Sequence, residues 1–198
     1  MGFRRTRCAH CRAKLTPERP SQIVHAECAE PYAIAKREKE ERAQAKAARM
    51  AAKIEKAETR RLREQQKGLR ELLAEAQTAF NEFIRLRDAG LPCICCGMPF
   101  EPMKPGGSMD AGHFRSRSTA PHLRFNEDNV FGQRKNCNRP GGTTYSKFRA
   151  GVLARIGQER LEAVETNYTD HKWTRDEVRE IRDHYRAKAK QLKKESHA

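Results

Sequence analysis

Apolar positions are sparse in the first third of the chain and become periodic only further on. Residues 33–67 contain no glycine or proline, and Ala, Lys, Arg and Glu dominate there. All four are good helix formers. Ile34, Met50, Ile54 and Leu62 are the large apolar residues of this stretch. They make no sustained heptad seam, so the pattern predicts not a strong coiled coil but a long, solvated, charged helix that spaces the knuckle from the central region and adds phosphate contacts, either as a linker or partly disordered basic segment or as a dedicated DNA-binding helix. Pro31 suits its first turn. Glu38 and Arg42 stand four apart in the favourable order. Gly68 breaks the run. Leu69, Leu72, Leu73, Ala76, Phe80, Phe83 and Ile84 then recur at steps of three and four. That spacing predicts an amphipathic helix packed by one face, ended by Gly90 and Pro92.

Pro99, Pro102, Pro105, Gly106 and Gly107 predict a loop. Residues 109–114 read as a short strand, with Gly112 inside it allowing close backbone approach. Pro140-Gly141-Gly142 closes this central region. Tyr145, Phe148, Val152, Ile156 and Val164 form one helical stripe directed at a core. Thr174 and Glu177 have the spacing of a capping box, opening a last helix through Val178, Ile181, Tyr185 and Leu192. Trp173 either staples that helix to its neighbour or stacks on an unpaired base, and packing is the default. The fold class is therefore α+β and mostly helical. The expected divisions are an N-terminal knuckle (1–30), a charged helix (31–67), a central core with its preceding helix (68–143) and a C-terminal helical region (144–198).

Composition narrows the picture. Hydrophobic residues make up 37% and charged residues 34% of the 198 positions, so one large core is not expected. Small folding units of this kind usually need a metal or disulfide staple. The net charge of +15 favours a polyanionic partner, nucleic acid above all. Apolar faces are too thin for a membrane surface, and no apolar run reaches transmembrane length. The start, Met1-Gly2-Phe3-Arg4-Arg5, lacks a signal core and makes no convincing myristoylation site. The expected setting is cytoplasmic, where the seven cysteines stay reduced and point to metal.

The cysteines fall in two groups. Cys8 and Cys11, then His25 and Cys28, are two pairs with the spacing of a tetrahedral zinc knuckle. His10, inside the first pair, is expected to point outward. Arg4, Arg5, Arg7, Arg12 and Lys14 surround this knuckle and suit phosphate. Four filled positions leave no room for a catalytic water. Further on, Cys93 and Cys96 form a second pair, and Cys137 adds a third thiolate. A full second pair would need cysteine at 134, where Arg134 stands. The site then borrows Cys95 or a histidine such as His122, keeps three thiolates, or holds no zinc.

Inside this frame lie Asp110-Ala111-Gly112-His113-Phe114, Asn126-Glu127-Asp128-Asn129 and Cys137-Asn138. A histidine can activate water as general base, and a carboxylate can hold magnesium beside a phosphate. Arg115, Arg117 and Arg124, with Arg134, are candidate phosphate contacts. The order Cys-x-x-Cys, Asp-Ala-Gly-His-Phe, Leu123-Arg124-Phe125-Asn126 with Asn129, then Cys137-Asn138 resembles the HNH or ββα-metal nucleases in their His-Asn-Asn variant. More narrowly the chain resembles the NinG (Rap) recombination proteins of lambdoid phages. Leu91-Pro92-Cys93, Arg155-Ile156-Gly157-Gln158-Glu159 and His171-Lys172-Trp173-Thr174 also fit that family.

The resemblance implies a zinc-stapled ββα-metal core and a structure-specific endonuclease that uses Mg2+ or Mn2+ on branched DNA, such as Holliday junctions and D-loops. His113 would be the general base. Asp110 and Asn138 would hold the catalytic metal, with Asn138 opening the α element. Asn129 would orient the histidine and its loop. Relatives such as endonuclease VII place the metal-binding acid directly before the histidine; here that position is Gly112. A homodimer would supply the two active sites a junction needs, and the setting would be the host cytoplasm. The rival expectation is a zinc-stapled DNA-binding recombination mediator without catalysis.

Overall fold

The protein is described here by a computed structural model, which covers residues 6–101 and 108–196. Arg4 and Arg5 of the basic surround, and Pro102, Pro105, Gly106 and Gly107 of the predicted loop, lie outside those residues. The chain divides into two compact units, the first ending at Gln66 and the second beginning at Lys67.

In the first unit a tight turn brings Arg7 opposite Lys14 as an antiparallel bridge. Cys8 N–H donates to Ala13 O at 2.9 Å, and Leu15 N–H to Thr6 O at 2.9 Å. A single 3-10 turn, Ala26–Cys28, leads into α1, Ala29–Gln66. The helix starts slightly before the predicted stretch, with Pro31 in its first turn, where a missing N–H costs little. No residue of α1 is buried. Its 38 residues extend about 57 Å at 1.5 Å per residue, and alanine, lysine, arginine and glutamate sustain it through propensity alone.

The second unit is layered around a two-stranded sheet. Helix α2, Leu69–Arg87, buries Leu72, Ala76, Phe80, Phe83 and Ile84 from the predicted stripe, and also Gln77 and Ala79. It packs on α4, Arg175–Glu195, which buries Val178, Tyr185 and Ala189. The capping box is present: Thr174 N–H donates to Glu177 Oε2 at 2.8 Å. Trp173 packs edge-on to Phe125 at 5.2 Å, and its Nε1 donates to Pro121 O at 3.1 Å.

Strands β1, Met109–His113, and β2, Val130–Arg134, pair antiparallel, with Asp110 opposite Gln133 and His113 opposite Val130. The pleat sends alternate residues to opposite faces. Ala111 and Val130 join the α2–α4 core. Phe131 faces the other way and packs with Phe148, Val152, Leu161 and Val164 of α3, Tyr145–Glu165.

Helix α3 corrects the sequence expectation twice. Its stripe is not one continuous helix, because Gly157 adopts φ 80° and ψ 171° and breaks it into two. Only glycine takes such a conformation cheaply. Tyr145, expected in the core, is 62% exposed; it stacks on Phe114 at 5.3 Å and donates its hydroxyl to Glu165 at 2.7 Å. Buried Asp88 joins the α2 end to the sheet. It accepts from Gly132 N–H at 2.7 Å and from the Arg87 guanidinium at 2.7 and 3.0 Å. Arg87 in turn donates to Val130 O at 2.8 Å.

Candidate functional site

Both cysteine groups converge. In the first unit the donor atoms of Cys8, Cys11, His25 and Cys28 all lie within 4.8 Å of one another. A tetrahedral zinc with Zn–S near 2.3 Å needs sulfurs about 3.8 Å apart, so the group fits that ion. His25 Nε2 donates to Lys14 O at 3.1 Å, which turns Nδ1 towards Cys11 Sγ at 3.4 Å and Cys28 Sγ at 4.0 Å. A backbone carbonyl on the outer nitrogen is the usual way a ligating imidazole is oriented. His10 is outside the group, as expected. Burial works against a Cys8 thiolate, yet the backbone N–H groups of Cys11, His25 and His10 outweigh it and bring the thiol down to about 6. Burial and the neighbouring thiols push Cys28 up to about 11.

In the second unit Cys93, Cys96 and Cys137 form a three-thiol group on the same distance criterion. Cys93 and Cys96 sit in a tight turn: Cys93 N–H donates to Met98 O, and Gly97 N–H to Cys93 O, both at 2.9 Å. Gly97 has φ +67°, which glycine supplies without strain. Neither alternative fourth ligand is there. Cys95 Sγ accepts from Gln133 Nε2 at 2.8 Å, and His122 Nε2 donates to Asn167 O at 2.9 Å. Arg134 takes the place of the missing cysteine. Its N–H donates to Cys93 Sγ at 3.3 Å, its guanidinium pairs with Glu101 at 3.1 Å, and it also hydrogen-bonds Cys96. Burial opposes ionisation of Cys96, but hydrogen bonds led by the Met98 N–H pull it below the ordinary thiol value. Burial and the other two thiols push Cys137 up to about 12.

His113 closes β1 and is half-buried. Its Nε2 lies 3.0 Å from Arg124 O. A carbonyl only accepts, so Nε2 carries the proton and Nδ1 keeps its lone pair. Burial first, then the charges of Arg117 and Arg124, hold the ring below its ordinary pKa, against the opposing pull of that carbonyl. The imidazole is neutral at pH 7 and can accept a proton.

Asn129 is 0% exposed. Its Oδ1 accepts from Arg115 N–H at 2.8 Å, and its Nδ2 donates to Arg115 O at 3.0 Å and Leu123 O at 3.1 Å. It ties both ends of the loop between the strands, next to the carbonyl that orients His113. Asp110 Oδ2 accepts from Asn138 Nδ2 at 3.2 Å. Asn138 does not open an α element: it lies in a turn whose N–H donates to Arg134 O at 3.1 Å, and α3 begins only at Tyr145. Pleat parity puts Asp110 and His113 on opposite faces of β1. At Gly112, directly before His113, an added Cβ would lie 1.5 Å from Gln133 Oε1. The Gln133 side chain fills that space.

The arginines differ in circumstance. Arg115 Nη1 donates to Val164 O at 2.8 Å and Asn167 O at 2.5 Å, and its guanidinium stacks over Tyr168 at 4.8 Å. It caps the C-terminal end of α3, where carbonyls and the helix dipole favour a cation, so its contacts are internal and not those of a phosphate clamp. Arg134 is likewise engaged with Glu101 and the thiols. Arg124 Nε donates to Gln77 at 2.9 Å. Arg117 is exposed. Sequence reading missed Gln77, Arg87, Asp88 and Gln133 because each acts on a partner distant in the chain; buried polar residues inside apolar periodic stretches were the available signal.

The family model of the bacteriophage lambda NinG protein matches residues 2–195. "Protein ninG" of Escherichia phage lambda is 40% identical over 121 residues, 61% of this chain and 57% of that protein. The proteins of the same name from Escherichia phage 933W and Salmonella phage P22 are 40% and 36% identical over stretches covering 58% and 57% of their lengths. The matched stretch thus spans little over half of these relatives. No solved structure matches the chain. Matched over nearly its whole length by that family model, the chain belongs to the NinG family.

Proposed function

We propose that the chain is a metal-dependent DNA endonuclease with an HNH-like core, acting on branched recombination intermediates in the host cytoplasm. The observation that carries this reading is the neutral His113, held through Nε2 by Arg124 O with Nδ1 left as acceptor, at the end of the strand that carries Asp110. The order strand, loop, strand, turn, helix, with three thiols stapling the second strand to the Cys93 turn, supports it. Strand β1 is paired on one side only among the described residues. A phosphodiester along its open edge would be flanked by His113 from one face and Asp110 from the other.

His113 Nδ1 takes a proton from water as the water oxygen bonds to phosphorus. The bond from phosphorus to the leaving strand oxygen breaks, and that oxygen is protonated from solvent. Asp110 and Asn138 offer two oxygen ligands, a set that suits magnesium or manganese because such ions keep several waters. The ion, when bound, supplies charge stabilisation for the leaving oxygen. Arg117 and Arg124 add positive charge around the phosphate. Two copies would serve the two strands a junction presents.

A second reading, a zinc-stapled DNA-binding recombination mediator, is favoured by one observation: Asp110 stands three residues before His113, and Gln133 fills the nearer position. Incubation with four-way junctions and linear duplex, with and without magnesium, separates the two. Magnesium-dependent cutting supports the nuclease. Binding with no cutting at any divalent metal supports the mediator and overturns the nuclease.

A further inference from the structure

Helix α1 has no buried residue and no place in either site above, but its charge is ordered. Starting at Lys39, steps of three and four residues in strict alternation reach Arg42, Lys46, Arg49, Lys53, Lys56, Arg60 and finally Arg63. All eight are exposed. Arg42 meets Glu38 at 3.6 Å, and the other seven make no ion pair among the described residues. Glu40, Glu41, Glu55 and Glu58 fall on the opposite side by helical periodicity. Like charges at three- and four-residue spacing repel and destabilise a helix. Acids interleaved with the line would relieve that repulsion; Glu38 and Glu64, four residues from Arg42 and Arg60, border it at its two ends, and between them no acid does. The line runs about 36 Å at 1.5 Å per residue, close to one turn of duplex DNA at about 34–36 Å. It carries no aromatic residue on which a base could stack and no apolar stripe to enter a lipid surface.

We infer that this line is a docking rail for the phosphate backbone of double-stranded DNA, without sequence readout. The inference rests on DNA being the partner proposed above, and is independent of cleavage. Such a rail gives a non-catalytic grip along one duplex arm and a steep salt dependence through counterion release.

The test compares two charge-matched triple variants of the full chain. One removes rail residues (Arg49→Gln, Lys53→Gln, Lys56→Gln). The other removes the basic residues of α1 that lie off the line (Lys36→Gln, Arg37→Gln, Arg61→Gln). Glutamine keeps helix propensity, which circular dichroism verifies. Binding to a duplex of about three turns is measured without divalent ions between about 50 and 200 mM salt. The rail triple is expected to flatten the log–log salt slope by about 2.7 and to weaken binding on the order of tenfold or more, while the off-line triple stays within about twofold of the parent. Equal losses in both, no loss in the rail triple, or a rail-dependent grip on anionic vesicles but not on DNA each overturn the rail. Failure of the parent chain to bind any DNA overturns the proposed partner itself, which separates the two failures.

Discussion

Replacing Asn129 with alanine removes a clamp that the loop between β1 and β2 has no means to rebuild. The side chain is fully buried and makes three hydrogen bonds, to Arg115 N–H, Arg115 O and Leu123 O. An orphaned buried N–H costs about 1–3 kcal/mol, and each carbonyl that loses its donor about 1 kcal/mol. The expected loss is about 3–5 kcal/mol, a large part of the stability of a domain this size. Asn129→Asp keeps the acceptor for Arg115 N–H but places a carboxylate against two carbonyls, so it should be at least as damaging. Urea denaturation followed by far-ultraviolet circular dichroism measures the loss. Because the loop also presents Arg124 O to His113, single-turnover cleavage by the folded fraction should fall with it. A variant within about 1 kcal/mol of the parent refutes the clamp. A destabilised variant whose folded fraction cleaves at the parental rate refutes the link to His113.

Three further outcomes follow from the same geometry. Gly151→Ala puts a Cβ 1.7 Å from Ile94 O; the gain in helix propensity of about 1 kcal/mol is outweighed by overpacking against backbone, typically about 1–3 kcal/mol or more, so the urea midpoint should drop. Cys137→Ser should lower the zinc content from about two per chain to about one, read by metal analysis under native conditions, while the Cys8 group keeps its ion. The depressed His113 pKa has two consequences. A folded-state value below 6.5 means the unfolded chain binds the proton more tightly, so this residue's stabilisation is complete above 6.5 and is lost as pH falls from there through the lower folded value. A base active only when neutral should likewise give a cleavage rate that rises with pH and levels off at or below 6.5; a plateau only above the ordinary histidine range would contradict the environment described for the ring.

Local chemistry was readable from the chain, and long-range contacts were not. The α2 stripe from Leu72 to Ile84, the Thr174–Glu177 capping box and the convergence of Cys8, Cys11, His25 and Cys28 all depend on spacing within a few residues or one short loop, and they form as the spacing predicts. The charged helix was equally legible, because composition alone sustains it. The turn at Gly157 was not: helical periodicity continues through the glycine, and the break shows only in the folded chain, where both halves of α3 bury residues in the cluster that holds Phe131. Arg115 looked like a phosphate contact because it follows His113, yet its partners lie some fifty residues later at the end of α3. The fourth position of the core thiol group could not be settled from Arg134 alone, since excluding Cys95 and His122 depends on where Gln133 and Asn167 sit. Asp110, His113, Asn129 and Asn138 could be picked out by type and order, but that Asp110 meets Asn138 while His113 leaves the other face of the strand depends on the register of β1 against β2.

The central claim is that His113 activates the attacking water. The most direct measurement is single-turnover cleavage of a synthetic four-way junction in magnesium by the parent chain and by His113→Ala, with zinc content and junction affinity measured on the same samples. The account predicts equal zinc, near-equal binding and a cleavage rate lower by about 10²–10⁴-fold. A His113→Ala protein that cuts the junction at the parental rate would contradict it.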